Sequence, residues 1–221
     1  MPRPSKLPIL AIALLAGAAP IAASIPYVDQ VTCEAPAEVS IVLLPDGAGT
    51  PLTQARLAGG PAVDATIRAR IVDSQSQPLE FFPREDVWLR FAAPPGTAAS
   101  CSVDGDIFPG GAFPADAAAD ADGWTQWAAP LLGGGWSEGP VTVYVNGAPA
   151  VRPDGTELPS VAMRANSPDI NGDMAVDLTD IVLFSQGFGD GYHYSRDYNW
   201  DGLVNMVDIV VFAQAIASVC P

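Results

Sequence analysis

The sequence predicts a mostly β protein with a small α module at its C-terminal end. An antiparallel β-sandwich is expected over residues 25–164, and two loop–helix units over 165–221. Three observations carry this expectation. The stretch Val63 to Val72 alternates cleanly between apolar and polar residues. Short apolar runs recur between clusters of Gly, Pro and Asp. Finally, an Asp- and Asn-rich segment near the C-terminus occurs twice.

In "VDATIRARIV", Val63, Ala65, Ile67, Ala69 and Ile71 share one face, and Asp64, Thr66, Arg68 and Arg70 share the other. A period of two places one face in a core and the other in water. "EVSIVLL" (38–44), "DVWLRFA" (86–92), "GWTQWA" (123–128), "VTVYVN" (141–146) and "SVAMR" (160–164) are the further strand candidates. "PDGAG", "APPG", "DADG", "LGGGW" and "RPDG" read as the turns between them. Many short strands with such punctuation suggest a sandwich. "RANSP" (164–168) reads as a short polar hinge after it.

The first 24 residues read as a secretory leader. Arg3 and Lys6 precede an apolar run, and the small residues Ala22 and Ser24 follow it. No other stretch is long and apolar enough to span a bilayer. The expected location is therefore secreted or extracellular, with no membrane span after cleavage. The chain has a formal net charge of −15, and the leader carries two positive charges and no negative one. A mature chain this acidic repels nucleic acid and anionic lipid, and it suits a protein that handles cations.

The chain has three cysteines, Cys33, Cys101 and Cys220. Export permits disulfides, and an odd count leaves one cysteine over. The favoured pair is Cys33 with Cys101, because both fall in the sandwich. A bridge from Cys220 back onto the sandwich is the rival.

Residues 169–186, "DINGDMAVDLTDIVLFSQ", align with 197–214, "DYNWDGLVNMVDIVVFAQ", at an offset of 28, with nine of eighteen positions identical. A calcium loop of twelve residues draws oxygens from positions 1, 3, 5, 7, 9 and 12, with a backbone carbonyl at 7. In the first copy these are Asp169, Asn171, Asp173, Ala175, Asp177 and Asp180. In the second they are Asp197, Asn199, Asp201, Leu203, Asn205 and Asp208. Calcium needs six to eight oxygens, and this spacing wraps them around one centre. Two bound calcium ions are therefore expected. Position 6 favours a left-handed backbone, which glycine adopts freely. Gly202 supplies it in the second copy, whereas the first has Met174, so weaker binding is expected there. Val176 and Val204, at position 8, are placed to pair the two loops through short strands.

A helix is expected after each loop. Asp177 and Asn205 stand as N-caps, with Asp180 and Asp208 three residues later in a capping-box relation. Leu178, Ile181, Val182 and Phe184, and Met206, Ile209, Val210, Phe212 and Ile216, follow at helical spacing and read as packing between the helices. No helix enters either loop. Pro168 precedes the first, and the glycine-rich "GFGDGYHYSR" (187–196) precedes the second. Each unit is thus half an EF-hand, which argues against a sensor-type opening switch.

A tandem of half-hands with Asp at position 12 resembles the type I dockerin module. The residues carrying the resemblance are Asp169, Asn171, Asp173, Asp177, Asp180, Asp197, Asn199, Asp201, Asn205 and Asp208. It implies that calcium folds the module and that the module docks onto a cohesin-like or other cell-surface protein. Loop positions 10 and 11, which that family uses for its partner, are Leu178 and Thr179 in one copy and Met206 and Val207 in the other. The β-rich part more loosely resembles bacterial Ig-like domains, on "ADADGWTQW" and "EGPVTVYVNG".

Little points to catalysis. His193 is the single histidine. Glu80, Glu85 and Asp86 are the only carboxylates that suggest a hydrolytic pair, and they read more simply as a polar loop. The alternative is a carbohydrate-active component that binds or hydrolyses polysaccharide through the sandwich, with Trp88, Trp124, Trp127 and Trp136 as a binding platform. The role expected from sequence is non-catalytic assembly or attachment outside the cell.

Overall fold

A computed structural model describes residues 25–92, 98–101, 111–189 and 191–221. The expected leader and the expected "APPG" turn lie outside them. The described chain is mostly β, with four sheets and two short helices, α1 (Leu178–Gly187) and α2 (Met206–Ala215). No helix among the described residues is long and apolar enough to cross a membrane.

The alternating stretch is a central strand. Ile67–Val72 lies between Tyr27–Cys33 and Trp124–Trp127, antiparallel to both. Its strand starts later than expected because the Asp64 carboxylate turns back onto the Thr66 amide and hydroxyl, at 2.8 and 2.7 Å. Ala65, Ile67, Ala69 and Ile71 are fully buried, as the period of two requires. A second sheet orders Ala148–Pro149, Val141–Val145, Val87–Phe91 and Phe113–Pro114. One core joins these sheets, with Trp127, Phe91 and Phe113 among its largest buried side chains. The Trp127 indole donates to the Phe113 carbonyl at 3.0 Å, which satisfies its buried N–H.

The third sheet departs from an all-antiparallel plan. Met163–Asn166 pairs in parallel with Val39–Val42, which continues through Ala55–Leu57 to Ala62–Val63. A parallel neighbour needs a long connection, and the chain between Val42 and Met163 supplies one. This strand runs through the expected hinge. Residues 165–170 are all buried. The Asn166 amide donates to the carbonyls of Tyr194 and Asp197, at 2.9 and 2.8 Å. "RANSP" is therefore an anchor for the second loop, not a hinge.

Further contacts bind the loop–helix units to the β-rich part. Val42, Leu44 and Trp136 pack with Ile170, Val176, Tyr194, Tyr198, Trp200 and Phe212 in a second apolar cluster. Gly59 donates to the Trp200 carbonyl and Gly135 to the Asp169 carbonyl, at 2.8 and 2.7 Å. The expected "LGGGW" turn contributes a buried strand, Gly133–Gly134, paired with Ala99–Ser100. A side chain at Gly134 would run into the Asp169 carboxylate. Glycine is what lets the first loop seat there.

The disulfide joins Cys101 to Cys220, with Cα atoms 5.7 Å apart. This corrects the Cys33–Cys101 expectation. The C-terminal tail folds back onto the β-rich part, beside the strand that ends at Ser100. Cys33 ends its strand elsewhere, with Sγ 3.7 Å from the Ala65 carbonyl, and is free. Burial pushes its thiol upward, which slows its chemistry. Peptide mapping under non-reducing conditions is expected to recover a Cys101–Cys220 cross-link and one slowly alkylated thiol at Cys33. A Cys33–Cys101 peptide would contradict this chain path.

Candidate metal centre

The two loops share one hydrogen-bond frame. At position 1, Asp169 Oδ2 accepts from Met174 N and Asp197 Oδ2 accepts from Gly202 N, both at 2.9 Å. At position 12, Asp180 Oδ1 accepts from Ile170 N and Asp208 Oδ1 from Tyr198 N, both at 2.8 Å. Their other oxygens accept from the N-cap amides of Asp177 and Asn205, at 3.0 and 2.8 Å. The N-cap side chains accept from Thr179 N and Val207 N, at 2.7 and 2.8 Å. Both capping boxes read from the sequence are thus present. Inside each loop, Asn171 donates to Asp173 at 2.7 Å and Asn199 to Asp201 at 2.9 Å. The sequence duplication is a duplication of structure.

The electrostatics of this frame are unfavourable without a cation. Asp169, Asp180, Asp197 and Asp208 are all fully buried. Among the described residues every Arg–carboxylate pair uses Asp29, Glu85, Glu38 or Glu138, and none reaches these four. Burying an unpaired carboxylate costs several kcal/mol. The strain shows in the acidities. Burial pushes Asp169 up to about 6, and the charge of Asp180 adds to it. Asp180 and Asp197 are also raised, again chiefly by burial. Asp197 Oδ1 is buried and accepts no hydrogen bond among the described residues. The Tyr192 phenol is pushed up to about 12 by burial and then by the neighbouring charge of Asp197.

Among the described residues no three His, Cys, Asp or Glu side chains are gathered as a ready metal cluster. The carboxylates are turned onto the loops' own amides instead. The donor set still fits a hard cation. Each loop offers two buried carboxylates and an exposed one at position 5 (Asp173 or Asp201). It adds an amide oxygen at position 3 (Asn171 or Asn199), a carbonyl at position 7 (Ala175 or Leu203), and Asp177 or Asn205 at position 9.

The left-handed positions revise the expected difference between the loops. Met174 does take a left-handed conformation, at φ 73°, matching Gly202 at 84°. Position 4 is left-handed too, as Gly172 at 71° in the first loop and Trp200 at 54° in the second. Each loop therefore has one glycine and one strained residue. The strain of Met174 no longer makes the first loop the poorer one. Trp200 is tolerated because its ring is buried in the apolar cluster.

The position-8 pairing also differs. Among the described residues no strand bridge joins Val176 to Val204. Val176 pairs with the tail, donating to the Ser218 carbonyl at 2.9 Å and accepting from Ala217 N at 3.0 Å.

The helix faces are split. Phe184 and Phe212 are buried and lie 5.4 Å apart between ring centroids, with Ile181 and Ile209 beside them. Leu178, Val182, Met206, Val210 and Ile216 face solvent instead of packing between the helices. Leu178 is 76% exposed and Met206 is 66% exposed. Thr179 and Val207 are exposed as well. The four residues at loop positions 10 and 11 thus lie on one open surface type at equivalent places.

The other candidates do not converge. Trp88 and Trp127 are buried, Trp88 stacking on Tyr144, so a four-tryptophan platform does not form. Trp124 carries the Arg68 guanidinium on its face, and Trp136 meets His193 edge-on. Glu80, Glu85 and Asp86 are exposed, and Glu85 lies 3.8 Å from Arg84. Gly134 and Asn166, which seat the loops, are not singled out by the sequence, and the Cys220 bridge that ties the tail is there only the rival pairing. Three consecutive glycines, one more than a tight turn needs, were the available signal for Gly134.

Comparison with protein-family models, with curated proteins and with solved structures finds no match to this chain.

Met174→Gly removes a left-handed side chain that costs about 1–2 kcal/mol. The variant is expected to unfold about 1 kcal/mol less readily in a denaturant titration, after allowance for the extra freedom of glycine in the unfolded chain. A loss of stability would show that Met174 is held by packing worth more than its strain.

Proposed function

We propose that the C-terminal loop–helix pair is a dockerin-like module that binds two calcium ions, carried by an Ig-like β-sandwich in a secreted protein. Its role is non-catalytic attachment to a cohesin-like or cell-surface protein. The observation that carries this reading is the set of four buried carboxylates that, among the described residues, form no ion pair with a cationic side chain. Asp169, Asn171, Asp173, Ala175, Asp177 and Asp180 would hold one ion. Asp197, Asn199, Asp201, Leu203, Asn205 and Asp208 would hold the other. Calcium supplies positive charge, and with it the loops become stable enough to fix the two helices.

The helices then form the docking face. Leu178 and Val182 on α1, and Met206 and Val210 on α2, are apolar, exposed and related by the same offset of 28. Contiguous exposed apolar surface on a soluble domain marks an interaction site. Docking is tested by surface plasmon resonance of the intact chain against a panel of cohesin-type domains. Binding is expected in calcium and lost in EDTA. Leu178→Asp with Met206→Asp is expected to weaken it at least tenfold while calcium binding persists. Binding that is indifferent to both changes would overturn the proposed surface.

A further inference from the structure

The C-terminal tail stands against the first loop and not the second. Residues Ala217–Cys220 run antiparallel to Met174–Val176, with Ala175 opposite Val219. Three backbone hydrogen bonds make this contact. Val176 N donates to Ser218 O at 2.9 Å, Ala217 N to Val176 O at 3.0 Å, and Cys220 N to Met174 O at 3.3 Å. In such a pairing, alternate residues point their backbone groups at the partner strand. Met174 and Val176 therefore face the tail, and the carbonyl of Ala175 faces the opposite way, toward the loop. That carbonyl is the position-7 oxygen of the proposed site, and the Ala175 amide is already bonded inward to Asp173 at 3.2 Å.

The tail is itself fixed at two points on the β-rich part. Cys220 is bridged to Cys101, and the Ser218 hydroxyl accepts from the Asp46 amide at 3.3 Å. The bridge also passes the loop directly, since Met174 Sδ lies 3.6 Å from Cys101 Sγ. Among the described residues the second loop has no equivalent strand. Among the described residues Leu203 and Val204 make no bridge, and that loop is held through Trp200 and Asp197 by Gly59 and Asn166.

We propose that the Cys101–Cys220 disulfide, acting through the tail, is a positioning element for the first calcium site. It holds the Ala175 carbonyl toward the ion, so that closing the bridge tightens calcium binding in the first loop alone. The second loop is built to bind without it. This rests on the calcium reading of the loops. Its physical basis is preorganisation: a carbonyl already held in place loses less freedom when the ion binds.

The test uses the intact chain in two backgrounds. Asp197→Ala leaves only the first loop competent, and Asp169→Ala leaves only the second. Calcium affinity is measured by calorimetry in each, with the bridge intact and with Cys101→Ser and Cys220→Ser together. Far-ultraviolet circular dichroism of each calcium-loaded sample checks that the fold persists. Opening the bridge is expected to weaken the first loop about tenfold or more and to change the second by less than twofold. Mild reduction of the single-loop chains, without the serine substitutions, should give the same pattern. Equal weakening of both loops would overturn the proposal, because it would show a general loss of stability. So would no change in either. Failure of the oxidised, otherwise unsubstituted chain to bind calcium at all would instead reject the calcium reading on which the proposal rests.

Discussion

The loop–helix units depend on four buried carboxylates that no Arg side chain pairs with among the described residues. Asp169, Asp180, Asp197 and Asp208 each bind backbone amides, and those bonds shape both loops. Asp180 and Asp208, at position 12, also complete the capping boxes of the two helices. An amide hydrogen bond to an ionised group is worth roughly 1.5–3 kcal/mol. Asp169 and Asp180 each accept three such bonds, whereas Asp197 accepts one, from Gly202, and is the least compensated of the four. The frame is geometrically complete, and among the described residues no Arg pairs with it. A bound divalent cation would balance its charge.

Half-hands without an entering helix need another surface to lean on. Here the β-rich part supplies it. Gly134 makes room for the Asp169 carboxylate, Asn166 clamps the chain on either side of the second loop's start, and Trp136 and Val42 close the apolar cluster. The tail and its disulfide close the remaining side of the first loop. The two parts thus share packing and covalent ties. The two helices nevertheless leave Leu178, Val182, Met206 and Val210 exposed.

Much of this was legible from the residues themselves. The alternation in Val63–Val72 marked a buried face, and all four of its members from Ala65 to Ile71 are in the core. The duplicated acidic spacing located both loops, and the Asp and Asn caps located both helices. What escaped was set by contacts distant in sequence. The disulfide was misassigned because cysteines were paired within a supposed unit, whereas the tail returns to Cys101 across 119 residues. "RANSP" looked like a polar hinge, but its asparagine is polar because it bridges two buried carbonyls. The outer helix residues were read as core because helical spacing shows that a face is apolar without showing what covers it. Position 6 alone does not rank the two loops, because position 4 carries a second left-handed residue, Gly172 in the first and Trp200 in the second.

Calcium titration of the intact, oxidised chain by isothermal calorimetry tests the central claim most directly. The account predicts two ions per chain, falling to one in Asp180→Ala and to one in Asp208→Ala, with a higher melting temperature when calcium is present. A chain that binds no calcium, and melts at the same temperature in calcium and in EDTA, would contradict it.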